Sequence, residues 1–145
     1  MGNSATAGSC ASTKRGATRA FGPGNAAIPE DYREVGQPVS IPGSMGTGSW
    51  VMAGDARAMT RSWGSACHGA GRSLSRHAAK RRISGGQLRR ELEAKGIVIR
   101  CPSKAGLAEE APFAYEDVDR VALVVEGAGL AHRVARLRPL GVIKG

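Results

Sequence analysis

Apolar positions in this chain come in short runs, each closed by glycine or proline. Val39 to Ile41 and Trp50 to Ala53 read as two short strands. Between them, Pro42 to Ser49 spells PGSMGTGS, and three glycines in that space will not hold a regular element. Asp55 is placed to cap a short helix reaching about Trp63. Gly64 to Gly71 is a second glycine-rich turn, which leads into a helix expected over Arg72 to Arg82. Ser84 caps another helix, in which Leu88 and Leu92 sit one turn apart and Gly96 is the stop. Ile97 to Arg100 reads as a buried strand, and the stretch LAEEAPFAYEDV as turn and short helix. Asp117 to Ala128 predicts an amphipathic helix with Val121, Val124 and Val125 on one face and Gly129 at its end. Val134 to Val142 is a last extended segment, broken at Pro139. Gly16 to Tyr32 reads as irregular loop, and residues 1–12, small and polar, as disordered. The expected architecture is α+β, one domain of short strands and helices with no internal repeat.

Composition adds a partner class. The chain has 145 residues, enough for one modest core, with 21 glycines and only 4% aromatic residues. Its formal net charge of +9 favours a polyanion, either nucleic acid or a phosphate-rich ligand. Cys10, Cys67 and Cys101 are odd in number and far apart, which argues against a disulfide framework or a structural zinc site. No apolar run approaches the length of a membrane span, and the expected location is cytoplasmic.

The two glycine-rich loops carry the candidate chemistry. Glycines let backbone N–H groups approach a ligand closely, and a helix N-terminus adds unpaired donors. Taken singly, each loop is equally an ordinary tight turn. His68, at the mouth of the second, sets a phosphate cradle beside that bland reading. A histidine nitrogen can attack phosphorus and form a phosphoramidate that later transfers its nucleotide. His77 and His132 have no such context and read as structural or surface residues. Arg72 and Arg76, four apart on the expected helix, would share a face near His68, and an arginine fork grips phosphate. They equally begin a solvated basic face that continues through Lys80, Arg81 and Arg82.

As a set these motifs say more. GATRAFGPG (16–24), PGSMGT with Ser49, CHGAGR (67–72) followed by Ser75 and Arg76, LAEEAP with Tyr115 and DVD (117–119), and the ending RLRPLGVIKG come in the order found in RtcB-type RNA ligases. The chain resembles the C-terminal portion of that family from Lys14 to Gly145, and residues 1–13 read as an unrelated tail. The resemblance implies an enzyme dependent on GTP and Mn(II). Such an enzyme joins an RNA 3'-phosphate, or 2',3'-cyclic phosphate, to a 5'-hydroxyl, as in tRNA splicing and RNA repair. It implies that His68 takes GMP from GTP. It puts Pro42, Gly43, Ser44, Met45, Ser49, Gly69, Ala70, Gly71 and Lys144 at the guanylate, Arg72 and Arg76 at the RNA terminal phosphate, and Tyr115 near the nucleotide.

There are departures. The family's metal ligands lie mostly in a longer N-terminal region with no counterpart here. The histidine that opens the family's HRKGATRAF segment is replaced by Thr13 in TKRGATRAF. A hydroxyl is a poor substitute for imidazole at Mn(II). The chain therefore resembles a truncated or split ligase with no metal ligand of its own assigned, to be completed by an N-terminal ligase fragment. The alternatives are a catalytically inactive nucleic-acid-binding remnant and a scaffold that keeps only the fold.

Overall fold

The structure is a computed structural model that describes residues 17–144; the tail, with Cys10 and Thr13, lies outside the described residues. Strands β1 (Ala17–Arg19), β2 (Pro38–Pro42) and β3 (Ser49–Gly54) precede helix α1 (Ala58–Ser62) and strand β4 (Ser65–Cys67). Helices α2 (Arg76–Arg82) and α3 (Gly85–Ala94), strand β5 (Val98–Arg100) and helix α4 (Lys104–Glu109) follow. Helix α5 (Val118–Gly127) and strands β6 (Ala131–Leu137) and β7 (Gly141–Ile143) complete the chain. The architecture is α+β.

Among the described residues, three small sheets organise it. Antiparallel strands in the order β2-β3-β6 form the largest, with Ser49 opposite Pro42 on one side and Leu137 on the other. Strand β1 pairs antiparallel with β4, so the stretch expected as irregular loop and the one expected as turn each supply a strand. Strand β7 pairs parallel with β5, returning the end of the chain to its middle.

Two apolar clusters lie beneath. Val39, Ile41 and Met52 of the central sheet meet Val118, Ala122 and Val125 of α5. Those α5 positions are spaced i, i+4 and i+7, as a buried helix stripe requires. Val124, expected on that face, is 64% exposed, and Val121 is only partly buried. The second cluster joins Leu88 and Leu92 of α3 to Ile99, Leu107 and Ala111. Helix α3 is held at its start by Ser84, whose hydroxyl accepts from the Gln87 N–H at 3.2 Å. A Cβ on Gly85 would fall 1.9 Å from the Lys104 carbonyl oxygen, so only glycine lets α3 and α4 approach this closely.

Asp55 is not the cap of helix α1, which is Arg57, two residues later. The Asp55 carboxylate accepts the Arg57 N–H at 2.9 Å and ion-pairs with the Arg57 guanidinium, turning the chain into α1. The Arg57 bonds hold the Asp55 carboxyl far below the usual range. No helix among the described residues is long and apolar enough to cross a membrane.

Candidate functional site

The Pro42–Ser49 loop is a closed turn. The Gly43 N–H reaches the Gly48 carbonyl at 2.9 Å, and the Ser44 N–H reaches the Thr47 hydroxyl at 2.9 Å. A Cβ on Gly43 would fall 2.4 Å from the Gly48 oxygen, so the loop closes only around glycine. Met45 turns inward and packs against the second core cluster. Arg136, on β6, donates to the Thr47 carbonyl at 3.3 Å and pairs with Asp119 at 2.8 Å. Asp119 also accepts the Trp50 indole N–H at 2.7 Å. Its carboxyl is held below the usual aspartate range, first by the Arg136 hydrogen bond and then by Trp50. Arg136 and Asp119 thus clamp the loop to helix and sheet.

The second loop docks directly on the first. Cys67 ends β4, and His68 follows, exposed, with no described residue hydrogen-bonded to its imidazole. The next residues are Gly69 and then buried Ala70, whose N–H reaches the Pro42 carbonyl at 2.9 Å. A Cβ on Gly69 would press on that same oxygen at 3.1 Å. Gly71 turns the chain with φ +81, a conformation suited to glycine, and its carbonyl accepts the Glu116 N–H at 3.1 Å. An open apolar groove of about 350 Å³ runs between Cys67 and the Val121, Val124 and Val125 side of α5. Burial pushes the Cys67 thiol up from its ordinary value.

The expected helix over Arg72 to Arg82 begins four residues late. Ser73 and Leu74 N–H groups bond to the Ala114 carbonyl, and Arg72 bridges to Tyr115, so residues 72–74 form a bridge and a bend rather than a first helical turn. The α2 cap is Ser75, whose hydroxyl accepts from the Ala78 N–H. Arg72 therefore does not share a helix face with Arg76, and the donors beside His68 belong to the loop.

Residues 109–116 form a third wall. Pro112 lies against the first loop, since a Cβ on Gly46 would fall 2.6 Å from its ring. Glu116 binds the second loop, and between them Glu110 and Tyr115 face a group of cations. Arg72 donates to the Leu74 and Glu109 carbonyls and to the Tyr115 hydroxyl, at 3.1, 2.7 and 3.1 Å. Lys144 has its N–H on the Arg100 carbonyl at 2.9 Å and its ammonium on Glu110 at 3.0 Å. Glu110 also accepts from the Tyr115 hydroxyl and faces Arg72 at 3.4 Å and Arg76 at 3.6 Å. Burial raises the Glu110 carboxyl, but the bonds from Tyr115 and Lys144 outweigh it and leave it below the usual range. Burial, then Glu110, pushes the Tyr115 hydroxyl up. Arg76 is 66% exposed and holds only the loose ends of this network.

The structure thus joins Pro42, Gly43, Ser44, Met45 and Ser49 to His68, Gly69, Ala70 and Gly71 through the docked loops. It joins Arg72, Arg76, Tyr115 and Lys144 through Glu110. Sequence reasoning missed Glu110 and Arg136. An acidic pair before a motif tyrosine in a chain of +9 was a signal for Glu110; Arg136 gave none. The glycine-lined loops suit a ligand approached by backbone donors. The described residues do not fit a resident Mn(II), since no three His, Cys, Asp or Glu side chains among them come together.

Known proteins agree with this assembly of motifs. A family described as tRNA-splicing ligase RtcB matches residues 6–145. The chain is 58% identical over 132 residues to the tRNA-splicing ligase RtcB of Archaeoglobus fulgidus, covering 91% of this chain and 27% of that protein. The namesake from Pyrococcus abyssi is 58% identical over the same share of this chain, which spans 14% of its length. That of Methanococcus maripaludis is 48% identical, with 91% and 28% covered. The chain therefore spans about a quarter or less of these relatives, and over that span it belongs to the RtcB family of tRNA-splicing ligases.

Proposed function

We propose that this chain carries the guanylate-accepting part of an RNA ligase site, with His68 as the nucleophile. The imidazole nitrogen attacks the α-phosphorus of GTP. A P–N bond forms, the P–O bond to the β-phosphate breaks, pyrophosphate leaves, and the imidazole proton passes to solvent. The GMP then moves to an RNA 3'-phosphate, breaking the P–N bond. A 5'-hydroxyl attacks that activated end, joins the strands and releases GMP. Support comes above all from the Ala70–Pro42 hydrogen bond, which docks the two glycine-rich loops beside an exposed, unencumbered His68. The Gly43 and Ser44 N–H groups are spent closing the first loop, so the Gly71 N–H and the ammonium of Lys144 are the groups available to hold guanylate, and Arg76 to hold the RNA phosphate.

Mn(II), when bound, would stabilise charge on the transferring phosphoryl group. Its ligands would come from outside the described residues, on a complementary polypeptide carrying the family's remaining length. RNA ends are the substrate of this reading, and the cytoplasm its compartment.

The test is labelling with α-phosphate-labelled GTP and Mn(II), with and without the preceding portion of a relative such as the Archaeoglobus fulgidus protein. Acid-labile label on the intact chain, absent from His68→Ala, is expected when both parts are present. Label that survives His68→Ala sinks the assignment. The exposed Arg81 and Arg82 of α2 favour one second reading, a nucleic-acid-binding remnant without catalysis. RNA binding with no labelling under any condition would select it.

A further inference from the structure

Helix α4 ends against local preference. Its last residue is Glu109 and its C-cap is Glu110, where the helix dipole favours a base, and no basic residue lies in its last turn. A local rule broken at one point calls for a compensating interaction elsewhere in the fold. Here the compensation lies on the Glu110 carboxylate itself. Oε1 faces the Lys144 ammonium at 3.0 Å and Arg76 Nε at 3.6 Å. Oε2 takes the Tyr115 hydroxyl and faces Arg72 at 3.4 Å. The side chain is only 14% exposed, so these partners replace most of its water. Lys144 relies on the pairing. Its backbone is fixed by the bond to Arg100, but its long side chain has no other hydrogen-bonded partner among the described residues.

We propose that Glu110 is a positioning residue of the guanylate site, holding the Lys144 ammonium where it meets the nucleotide; this rests on the guanylate reading above. Glu110 touches no ligand itself. It acts through Lys144, while Tyr115 and Arg72 hold its other oxygen and fix the direction in which it points.

The experiment uses the intact 145-residue chain and GMP as the probe, with affinities measured by calorimetry for wild type, Glu110→Gln, Lys144→Met and the double variant. Glu110→Gln is expected to weaken GMP about tenfold, a loss that vanishes in the Lys144→Met background because the two residues act as one. Losses that add would mark Glu110 as merely structural and overturn the proposal, as would wild-type affinity in Glu110→Gln. A wild type that does not bind GMP overturns the nucleotide reading and this proposal with it. A second measurement needs no variant. In the wild type, acetylation of Lys144 followed by mass spectrometry should be several-fold slower than that of the exposed Lys95. Equal rates would show that Glu110 does not hold the ammonium, whether or not Glu110→Gln folds.

Discussion

The backbone amide of Ala70 lies 2.9 Å from the carbonyl oxygen of Pro42, and that one bond joins two loops that the sequence keeps twenty-odd residues apart. The first loop must be closed for its last β2 carbonyl to present itself this way. Gly43→Ala puts a methyl 2.4 Å from the Gly48 oxygen, a backbone atom that cannot step aside cheaply. We expect it to destabilise the chain by about 1–3 kcal/mol in urea unfolding. Gly86→Ala, inside α3 with nothing nearer than 3.9 Å, is the contrast and should stabilise by roughly 0.5–1 kcal/mol. Equal effects of the two would refute the closed geometry of the loop.

Arg72 and Arg76 part company. Arg72 spends its donors on Leu74, Glu109 and Tyr115, whereas Arg76 is 66% exposed. Arg72→Ala strands the Leu74 and Glu109 carbonyls and should cost about 2–3 kcal/mol of stability. Arg72→Lys should recover little, because an ammonium cannot reproduce the planar fork. Arg76→Ala should leave thermal unfolding within about 0.5 kcal/mol of wild type. Thermal melts of the three variants decide it, and a strongly destabilised Arg76→Ala would contradict the structure.

Acid should loosen the clamp on the first loop. The Asp119 carboxyl is depressed by Arg136 and by Trp50, so its contribution is present above the unfolded value and is lost as pH falls through the folded one. Asp55, Glu109, Glu110 and Glu126 are depressed as well and share the loss. Melting temperature should fall as pH drops below about 4, the ordinary aspartate value, and Asp119→Asn should flatten part of that fall. Trp50 fluorescence should report the same step, since its indole donates to Asp119. An unchanged acid limb in Asp119→Asn would remove Asp119 from the account.

Binding to single-stranded RNA, if carried by phosphate contacts, should weaken linearly in log affinity against log salt. Each phosphate-contacting cation should contribute about 0.7 to the slope. Arg76, Arg81 and Arg82 are exposed on α2 and are the residues to remove. With so few aromatic residues to stack bases, sequence preference should be slight. A salt-independent affinity would place the RNA elsewhere.

The sequence made some features legible because their causes are local. Leu88 and Leu92 are both buried, and Ser84 caps their helix, as spacing and side-chain chemistry required. The loop over Pro42–Ser49 was legible from its glycines. Strands β1 and β4 were not, because three-residue strands carry too little periodicity and each exists only by pairing with the other. The α2 start misled for a related reason. Arg72 has helix propensity, but its bonds to Tyr115 and Glu109, some forty residues on, outweigh it. The second glycine loop and His68 stood out as motif, whereas Glu110 and Arg136 act through partners distant in sequence, which no spacing reveals.

Ala111 belongs to the second apolar cluster while Glu116 binds the second glycine loop, and that span has a consequence for breathing motions. Lys144 is tied by β7 and by Arg100 to the α3 side, and His68 by β4 and Pro42 to the central sheet. A sub-global opening of the α3 cluster would withdraw Lys144 while leaving His68 and both glycine loops in register. Amide hydrogen exchange would then sort the two ends of the site into separate protection classes, with the Lys144 amide following β5 and the Ala70 amide following β2.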